Sequence, residues 1–167
     1  MKCYVFRWNP ETSAIRKENF KEFYNQINEP DGENCFTWEI KDWQDANKND
    51  MFIFLQTHTD NDGIVMIGKL ASEPYYKESK RTGYKGYVVN LEILTMFDRT
   101  PECKTLVAFQ LENEFPEIKW HDGNCGELID MLLADRLSIR IMDELCERGI
   151  WEHTTFAEFM GLEMICK

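Results

Sequence analysis

The sequence predicts an α+β protein with a small, curved, mostly antiparallel sheet, or pseudo-barrel, flanked by helices. Three short apolar runs rich in aromatic and β-branched residues lie in the middle of the chain, at 50–55, 63–70 and 84–94. Runs of this length and composition are typical of strands, and glycines beside them suit a curved sheet. Apolar residues at helical spacing precede and follow this block, which indicates one sheet with helices beside it.

The N-terminal part of the chain is predicted to form a strand, a helix and a second strand. Residues 2–8 alternate as in a strand, which stops at an Asn-Pro turn pair. Apolar residues recur at helical spacing over 13–28, and a serine at the first of these positions can cap that helix. The second strand is expected at 34–40, followed by a short helical turn at 43–47.

The C-terminal part of the chain is predicted to be mainly helical. A helix is expected at 101–114, followed by a loop rich in glycine and aromatic residues at 115–126. Leucine and isoleucine then recur at helical spacing over 127–148, and Gly149 suits the C-cap of that helix. A last short helix is expected at 155–162.

Composition favours one domain over residues 1–167, with the helical part starting at about residue 127. The apolar fraction of 43% and the five tryptophans indicate a packed core. The chain has no apolar run of about 18 residues, which a membrane-spanning helix would need. No basic and apolar leader follows Met1. We therefore expect a cytoplasmic protein without a membrane partner.

The net charge of −11 is distributed unevenly along the chain. Residues 111–167 carry thirteen Asp and Glu against five Lys and Arg, whereas residues 61–110 carry six against seven. A general nucleic-acid coat is therefore disfavoured, since bulk affinity grows with the number of phosphates neutralised. A local basic surface near 77–85 remains compatible with this charge, and the acidic helices could receive a basic protein partner.

The six cysteines are predicted to be reduced thiols, and no metal or cofactor is expected. They are scattered and form no Cys-x-x-Cys pair, so neither a zinc site nor a disulfide framework is indicated. His121 and Cys125 are close in sequence and would suit a nucleophile with its base. Sequence neighbours rarely meet in the geometry that such a pair requires, so a plain turn is the favoured interpretation and no catalytic residue is assigned.

The segment 75–87 mixes aromatic and basic residues in a predicted loop. Its candidate phosphate ligands are Lys77, Lys80, Arg81 and Lys85. Tyr75 is its candidate stacking residue, because rings on bases and cations on phosphates are the pattern of single-strand binding. The alternative is a solvated hairpin whose charges keep it soluble.

Three tryptophans and a histidine complete the candidate ligand-binding residues. Trp8, Trp38 and Trp120 can supply the walls of an aromatic pocket, with Trp43 as a further candidate, since base stacking on an indole contributes about 1–3 kcal/mol. His58 follows a central strand, where it can meet the polar edge of a ligand. The alternative for each tryptophan is core packing, which the shared strand face of Trp38 and Phe36 favours.

Several motifs resemble the PUA-like superfamily, and its EVE-like branch in particular. The resemblance consists of Phe-x-Trp-Asn-Pro at 6–10, Gly-Ile-Val and Ser-Glu-Pro-Tyr within 63–75, and Phe-Pro-x-x-x-Trp with Gly-x-Cys-Gly at 115–126. Uncharacterised bacterial proteins share these motifs, and the similarity covers most of residues 1–135.

The resemblance implies a PUA-like barrel and a ligand class. EVE domains and the related YTH domains grip a modified base with tryptophans in a pocket. By position, Trp38 lies on the strand that carries the first such tryptophan, and Trp120 is a looser match for a second wall. Cys125 stands where the family has Ser, and Asn49 where the EVE turn has Gly; neither change alters the expected fold.

Three functions remain open from the sequence. The first is a non-enzymatic module that holds a modified nucleobase, a nucleotide or a short nucleic-acid segment in an aromatic pocket. The second is a protein or small-molecule interaction domain that uses the acidic helices. The third is a small hydrolase of a nucleoside-like amide, as in the ASCH branch. That branch's Gly-x-Lys-x-x-Glu-x-Arg signature is missing, so a Lys69–Glu73 pair would have to replace it.

Overall fold

The computed structural model describes residues 2–12, 22, 25–26 and 34–149. The helices expected at 13–28 and 155–162 lie outside the described residues, except for positions 22, 25 and 26. The strands are β1 (Cys3–Trp8), β2 (Cys35–Glu39), β3 (Met51–Gln56), β4 (Gly63–Leu70), β5 (Tyr75–Glu78), β6 (Lys85–Met96) and β7 (Glu127–Ile129). The two described helices are α1 (Ala108–Glu114) and α2 (Met131–Glu147).

The seven strands form one mixed sheet in the order β2-β6-β4-β3-β1-β7, and β5 pairs with the end of β6 that β4 does not cover. β1 and β3 are parallel, and every other pair is antiparallel. The predicted α+β class with a mostly antiparallel sheet is therefore confirmed.

The central strands are buried on both faces, which is why the sequence shows a continuous apolar run there. On β3, Ile53 and Leu55 face a core shared with the two helices, here called the helix-side core. Phe52 and Phe54 alternate with them and face a second core rich in aromatic residues, the aromatic core. The sheet therefore separates two cores of different composition.

Two register shifts and a glycine curl the sheet into a half-barrel. The ladder shifts between Phe54 and Leu55 on β3 and between Ile67 and Gly68 on β4. Such irregularities bend a strand and increase its twist. A Cβ atom at Gly68 would lie 2.0 Å from the backbone oxygen of Glu92, so the close approach of β4 and β6 at this bend requires glycine.

Because the sheet curls, the segment that follows β2 lies against the segment that precedes β7. The backbone N–H of Lys41 donates to the oxygen of Cys125 at 2.9 Å, and that of Asp42 donates to Gly126 at 3.0 Å. Gly126 has a φ of 70° and lies so close to Ile40 that a Cβ atom would be 2.6 Å from its side chain. The loop 115–126 is thereby fixed beside the end of β2.

The predicted helix over 127–148 is wrong in its first four residues. Residues 127–129 form β7, which pairs with Cys3–Val5 of β1, and the helix begins only at Met131. Asp130 sets this start, because its side chain accepts hydrogen bonds from the backbone of Leu132 and Leu133. The apolar spacing across 127–132 is compatible with either a strand or a helix. The strand forms because the free edge of β1 offers hydrogen-bond partners to the backbone of residues 127–129.

Two other boundaries differ from the prediction. β5 occupies part of the segment expected to be a loop, because its residues pair with β6. The helix expected from residue 101 begins at Ala108, since Leu106 has a φ of 51° and Arg99 holds the preceding backbone. The buried Arg99 guanidinium donates to the oxygens of Asn61, Ile64 and Thr105, which fixes that segment as an ordered loop.

No described helix is long and apolar enough to span a bilayer. The cysteines within the described residues are all free thiols: Cys3, Cys35, Cys103, Cys125 and Cys146.

Candidate functional site: an aromatic cluster beside a basic hairpin

Four aromatic side chains share one face of the sheet where β2, β5 and β6 adjoin the loop after β2. They are Trp38, Trp43, Tyr76 and Tyr87, and we refer to them as the aromatic cluster. Tyr76 is 54% exposed and the other three are half-buried. Trp38, Trp43 and Tyr87 pack against the aromatic core. The cluster is therefore the partly solvent-exposed end of that core.

The centre of the aromatic cluster is a parallel ring stack. The Trp43 and Tyr87 rings lie 3.6 Å apart between centroids with an interplanar angle of 9°. Tyr76 lies opposite Tyr87 in the β5–β6 ladder and meets its ring edge-on at 5.7 Å. Two strands and a loop thus contribute one ring each. Because Tyr76 pairs with Tyr87 in the ladder, its side chain lies on the same face of the sheet as the Tyr87 ring.

Trp38 connects the aromatic cluster to the core below it. Its indole is edge-on to Phe54 at 5.1 Å, and its N–H donates to the Cys125 sulfur at 3.4 Å. The Cys125 thiol donates in turn to the backbone oxygen of Arg7 at 3.1 Å. Burial raises the pKa of this thiol, so Cys125 is a neutral hydrogen-bonding group at neutral pH.

Tyr84 lies near the aromatic cluster but on the opposite face of β6 from Tyr87, because its hydroxyl oxygen would be 2.8 Å from a Cβ atom at Gly86. The hydroxyl donates to the backbone oxygen of Tyr87 at 2.9 Å, an oxygen that also accepts from the N–H of Ile40 at 3.1 Å. The pKa of Tyr84 is raised, first by desolvation and then by the nearby Glu39 carboxylate. Tyr84 therefore lies beside the end of β2, with Glu39 next to it.

A basic hairpin borders the aromatic cluster. β5 and β6 are joined by a tight turn, in which the N–H of Ser79 donates to Tyr84 at 2.9 Å and Gly83 has a φ of 70°. Its exposed cations are Lys77, Lys80, Arg81 and Lys85. Among the described residues, none of the four forms an ion pair. Their charges are free to meet a phosphate.

Of the five residues selected from the sequence as ligand-binding, the structure places Trp38 in the aromatic cluster. Tyr75 lies on the opposite face of β5, where its hydroxyl donates to the side chain of Asn90 at 2.9 Å. His58 is exposed in the β3–β4 turn, with a φ of 60° and Nδ1 3.0 Å from the Thr57 hydroxyl.

The other two tryptophans are buried at different places. Trp120 is 2% exposed in the helix-side core, and its indole donates to the backbone oxygen of Phe115 at 3.0 Å. Trp8 is also 2% exposed and lines a separate cavity of about 370 Å³ with Gln56 and Arg99. The selected residues therefore do not converge on one concavity.

Sequence reasoning considered Trp43 as a further pocket wall and Tyr76, Tyr84 and Tyr87 as aromatic residues of the segment 75–87, but these four were not among the five residues selected. Trp43 carries no strand periodicity because it belongs to a loop, so only the folded chain places it on Tyr87. A signal for Tyr76 was available: predicting β5 as a strand would have put alternate residues on alternate faces.

The catalytic arrangements considered from the sequence do not form among the described residues. Lys69 pairs with Glu92 at 3.4 Å, whereas Glu73 accepts from the backbone of Lys48. A Lys69–Glu73 pair is therefore absent, and the hydrolase hypothesis loses the arrangement it required. No group of three potential metal ligands occurs in the described part of the chain.

His121 and Cys125 are engaged separately. The imidazole Nδ1 is 2.7 Å from an Asp62 carboxylate oxygen, and Nε2 is 2.9 Å from Glu112. The hydrogen bond to Asp62 raises the pKa of His121. Cys125 instead bonds with Trp38 and Arg7, so the two side chains do not act as a nucleophile and its base.

Comparison with solved structures identifies proteins of similar fold. A hypothetical protein from Leishmania major matches with a TM-score of 0.56 and 9% identity, over 86% of this chain and 96% of that chain. The YTH domain-containing protein mmi1, solved with RNA, matches with a TM-score of 0.51 and 11% identity, over 88% of this chain and 85% of that chain.

A third similar structure is the human THYN1 protein in complex with DNA that contains 5-methylcytosine. It matches with a TM-score of 0.45 and 13% identity, over 70% of this chain and 77% of that chain. No protein-family model matches the sequence, and no curated protein matches it. The curled mixed sheet, half-barrel and two described helices constitute an α+β fold of the PUA-like type.

Proposed function

We propose that this chain is a non-enzymatic nucleic-acid-binding module that holds a modified base against the aromatic cluster. The observation that carries the proposal is the juxtaposition of two features: half-exposed stacked rings and a hairpin whose four cations form no ion pair among the described residues. Rings that stack on bases and cations that neutralise phosphates are the two components of single-strand recognition.

The proposal places the phosphate groups on the basic hairpin. The cations are confined to the hairpin, in a chain whose net charge is −11. Few phosphates are therefore contacted, and the binding affinity depends only moderately on the salt concentration. A base-centred mode of binding follows, in which ring contacts contribute more than backbone neutralisation. The RNA in the mmi1 structure, on a similar fold, is compatible with this mode.

The ring stack constrains how a base is accommodated. Two rings that sandwich a base must lie about 7 Å apart, twice the usual contact distance, whereas Trp43 and Tyr87 are 3.6 Å apart. A base therefore binds on an outer ring surface, or between the two rings after Trp43 moves. Trp43 belongs to a loop, and its displacement does not require the ladder to open.

A binding titration tests the proposal. Fluorescein-labelled single-stranded RNA and DNA, with and without methylated bases, would be titrated by fluorescence anisotropy at two salt concentrations. We expect saturable binding that prefers one modified base, and a several-fold loss for Lys80→Glu/Arg81→Glu because the phosphate contacts are removed. The matched control is Lys104→Glu, an exposed lysine on the loop before α1.

Loss of affinity in the hairpin variant with none in the control supports the proposal. Equal losses in both variants would reduce the interaction to general electrostatics, and no binding by any oligonucleotide would overturn the proposal. The search would then turn to a basic protein partner for the acidic C-terminal helices.

Some finer assignments stay predictions that the proposal does not use. They are the EVE-like branch, the single domain over 1–167, the cytoplasmic location and the inclusion of Trp8, His58, Tyr75 and Trp120 in the ligand site.

A further inference from the structure

A cavity of about 370 Å³ lies at the end of β3, away from the aromatic cluster. Its described lining residues come from the end of β1 and the turn after it, from the β3–β4 turn and from the loop after β6. None of them belongs to the aromatic cluster. A cavity of this size is large enough for a small organic molecule, so the polar groups in its wall indicate which kind of molecule it can hold.

Gln56 brings an unsatisfied hydrogen-bond acceptor to the cavity. Its side chain belongs to a residue that is only 7% exposed. The amide nitrogen donates to the Thr59 hydroxyl at 3.1 Å and to the backbone oxygen of Asn61 at 3.4 Å, which fixes the orientation of the amide. The amide oxygen accepts no hydrogen bond from a described residue, and it is not sealed off from the cavity. It is therefore placed to accept an N–H or O–H from a ligand.

Two carboxylates line the same cavity on its solvent side. Asp60 and Asp98 are both exposed and come from different segments, the β3–β4 turn and the loop after β6. Neither forms an ion pair or a side-chain hydrogen bond with another described residue. Carboxylates without partners attract a cation and repel a phosphate or a carboxylate.

Arg99 is the cation among the described lining residues, and its guanidinium is already engaged. Nε donates to the backbone oxygen of Asn61 at 3.2 Å, and Nη1 donates to the backbone oxygens of Ile64 and Thr105. Nη2 donates to the side-chain oxygen of Asn61 at 3.2 Å, so four of the five N–H groups are used. The group also lies against Gly63, where a Cβ atom would be 2.6 Å from Cζ. Arg99 therefore fixes the cavity wall and does not provide an anion site.

We propose that this cavity binds a small organic cation that carries N–H donors and an apolar body, such as an amidinium or an alkylguanidinium. One N–H of the ligand meets the amide oxygen of Gln56, and its charge meets Asp60 and Asp98. The apolar body lies against the buried Trp8 and Pro10. The site is separate from the aromatic cluster, so the inference does not rest on the proposed function.

Benzamidine, benzamide and benzoate provide the test, because they share one ring and nearly one size but are cationic, neutral and anionic. Each would be titrated into the full chain and followed by ¹H–¹⁵N NMR. We expect saturable shifts of the backbone amides of 59–61 and 98–100 with benzamidine. Benzamidine should bind about fivefold more tightly than benzamide, a factor that two solvent-exposed ion pairs can supply, and benzoate should not bind.

Two double variants with the same change in net charge separate the local carboxylates from general electrostatics. Asp60→Asn/Asp98→Asn should reduce the affinity for benzamidine to that for benzamide. Asp135→Asn/Asp143→Asn, which alters two exposed carboxylates of α2, should leave the preference intact. Gln56→Met should weaken the binding of both compounds, since both donate an N–H, and the dispersion of its spectrum would show that it folds.

Several results would overturn the inference. They are equal affinity for benzamidine and benzamide in the unaltered protein, equal losses in the two double variants, and shifts confined to other parts of the chain. The absence of any shift at millimolar benzamidine would overturn it as well. The proposed function is tested by different residues and different ligands, so it stands or fails separately.

Discussion

Trp120 and Trp43 both come from loops, but they lie in opposite surroundings. Trp120 is 2% exposed, packs within the helix-side core and has its indole N–H satisfied by Phe115. Trp43 is half-buried and lies flat on Tyr87, with Tyr76 beside it and exposed cations nearby. A ring whose contacts are complete stabilises the fold, whereas a ring left partly in solvent can receive a ligand.

The largest expected effect separates these two tryptophans. Trp120→Ala should destabilise the protein by about 3–5 kcal/mol, because it leaves a cavity in the core and removes the hydrogen bond from the indole to Phe115. Trp43→Ala should cost much less stability and should abolish oligonucleotide binding, with Trp43→Phe retaining part of it. Urea unfolding and anisotropy titration of all three variants would measure this, and comparable destabilisation by both alanine substitutions would contradict the division.

The next effect concerns the polar contacts of the helix-side core. The carboxylate of Glu144, 5% exposed, accepts from the backbone of Leu106 at 2.7 Å and pairs with Arg140 at 2.7 Å and Arg148 at 3.1 Å. Glu144→Ala should cost about 2–4 kcal/mol, because it leaves the buried N–H of Leu106 without its acceptor and removes one ion pair each from Arg140 and Arg148.

Glu144→Gln is the matched control, since its amide oxygen can still accept from Leu106. It should therefore recover part of the lost free energy of unfolding. The comparison would use equilibrium urea unfolding followed by circular dichroism. Identical losses in the two variants would show that the charge alone, and not the hydrogen bond to Leu106, is responsible.

The smallest expected effect is the pH dependence of the loop that carries Trp120. His121 has a pKa raised above its ordinary value of 6.5 by its hydrogen bond to Asp62, with Glu112 on its other nitrogen. A raised pKa means that the protonated form stabilises the folded state. This contribution is complete below pH 6.5 and is lost as the pH rises through the folded-state pKa.

The His121 side chain is 54% exposed, so solvent screening limits the contribution to about 1 kcal/mol or less. The free energy of unfolding of the natural sequence and of His121→Gln would be compared at about pH 6 and about pH 8.5. The free energy of unfolding of the natural sequence should exceed that of His121→Gln by more at the lower pH than at the higher pH. A difference independent of pH would show that His121 acts only as a neutral hydrogen-bond donor.

Strands and helices could be predicted from the sequence where many residues of an element repeat the same burial pattern. The run at 50–55 is apolar at every position because β3 is buried on both faces, and α2 repeats its buried leucines over four turns. The β7 segment was misread as helix because three residues carry too little periodicity to separate the two structures. Asn49, which stands where the resembling family has Gly, has a φ of 75°, a backbone conformation that asparagine tolerates.

Only some residues of the candidate site could be predicted from the sequence. Trp38 and the four hairpin cations were selected from residue type and position. Tyr75 was selected in place of its neighbour Tyr76, because the pairing of β5 with β6 decides which tyrosine faces the rings.

The sequence by itself determined the α+β class, the central strands and the long C-terminal helix, because burial on one or both faces imposes a periodicity that local residues record. The tertiary structure alone decided which rings meet and which cations have no ion pair among the described residues. Those relations join residues from β2, the loop after it, β5, β6 and the 115–126 loop. Contacts between segments so far apart in the chain depend on strand register and sheet curl, which no local pattern encodes.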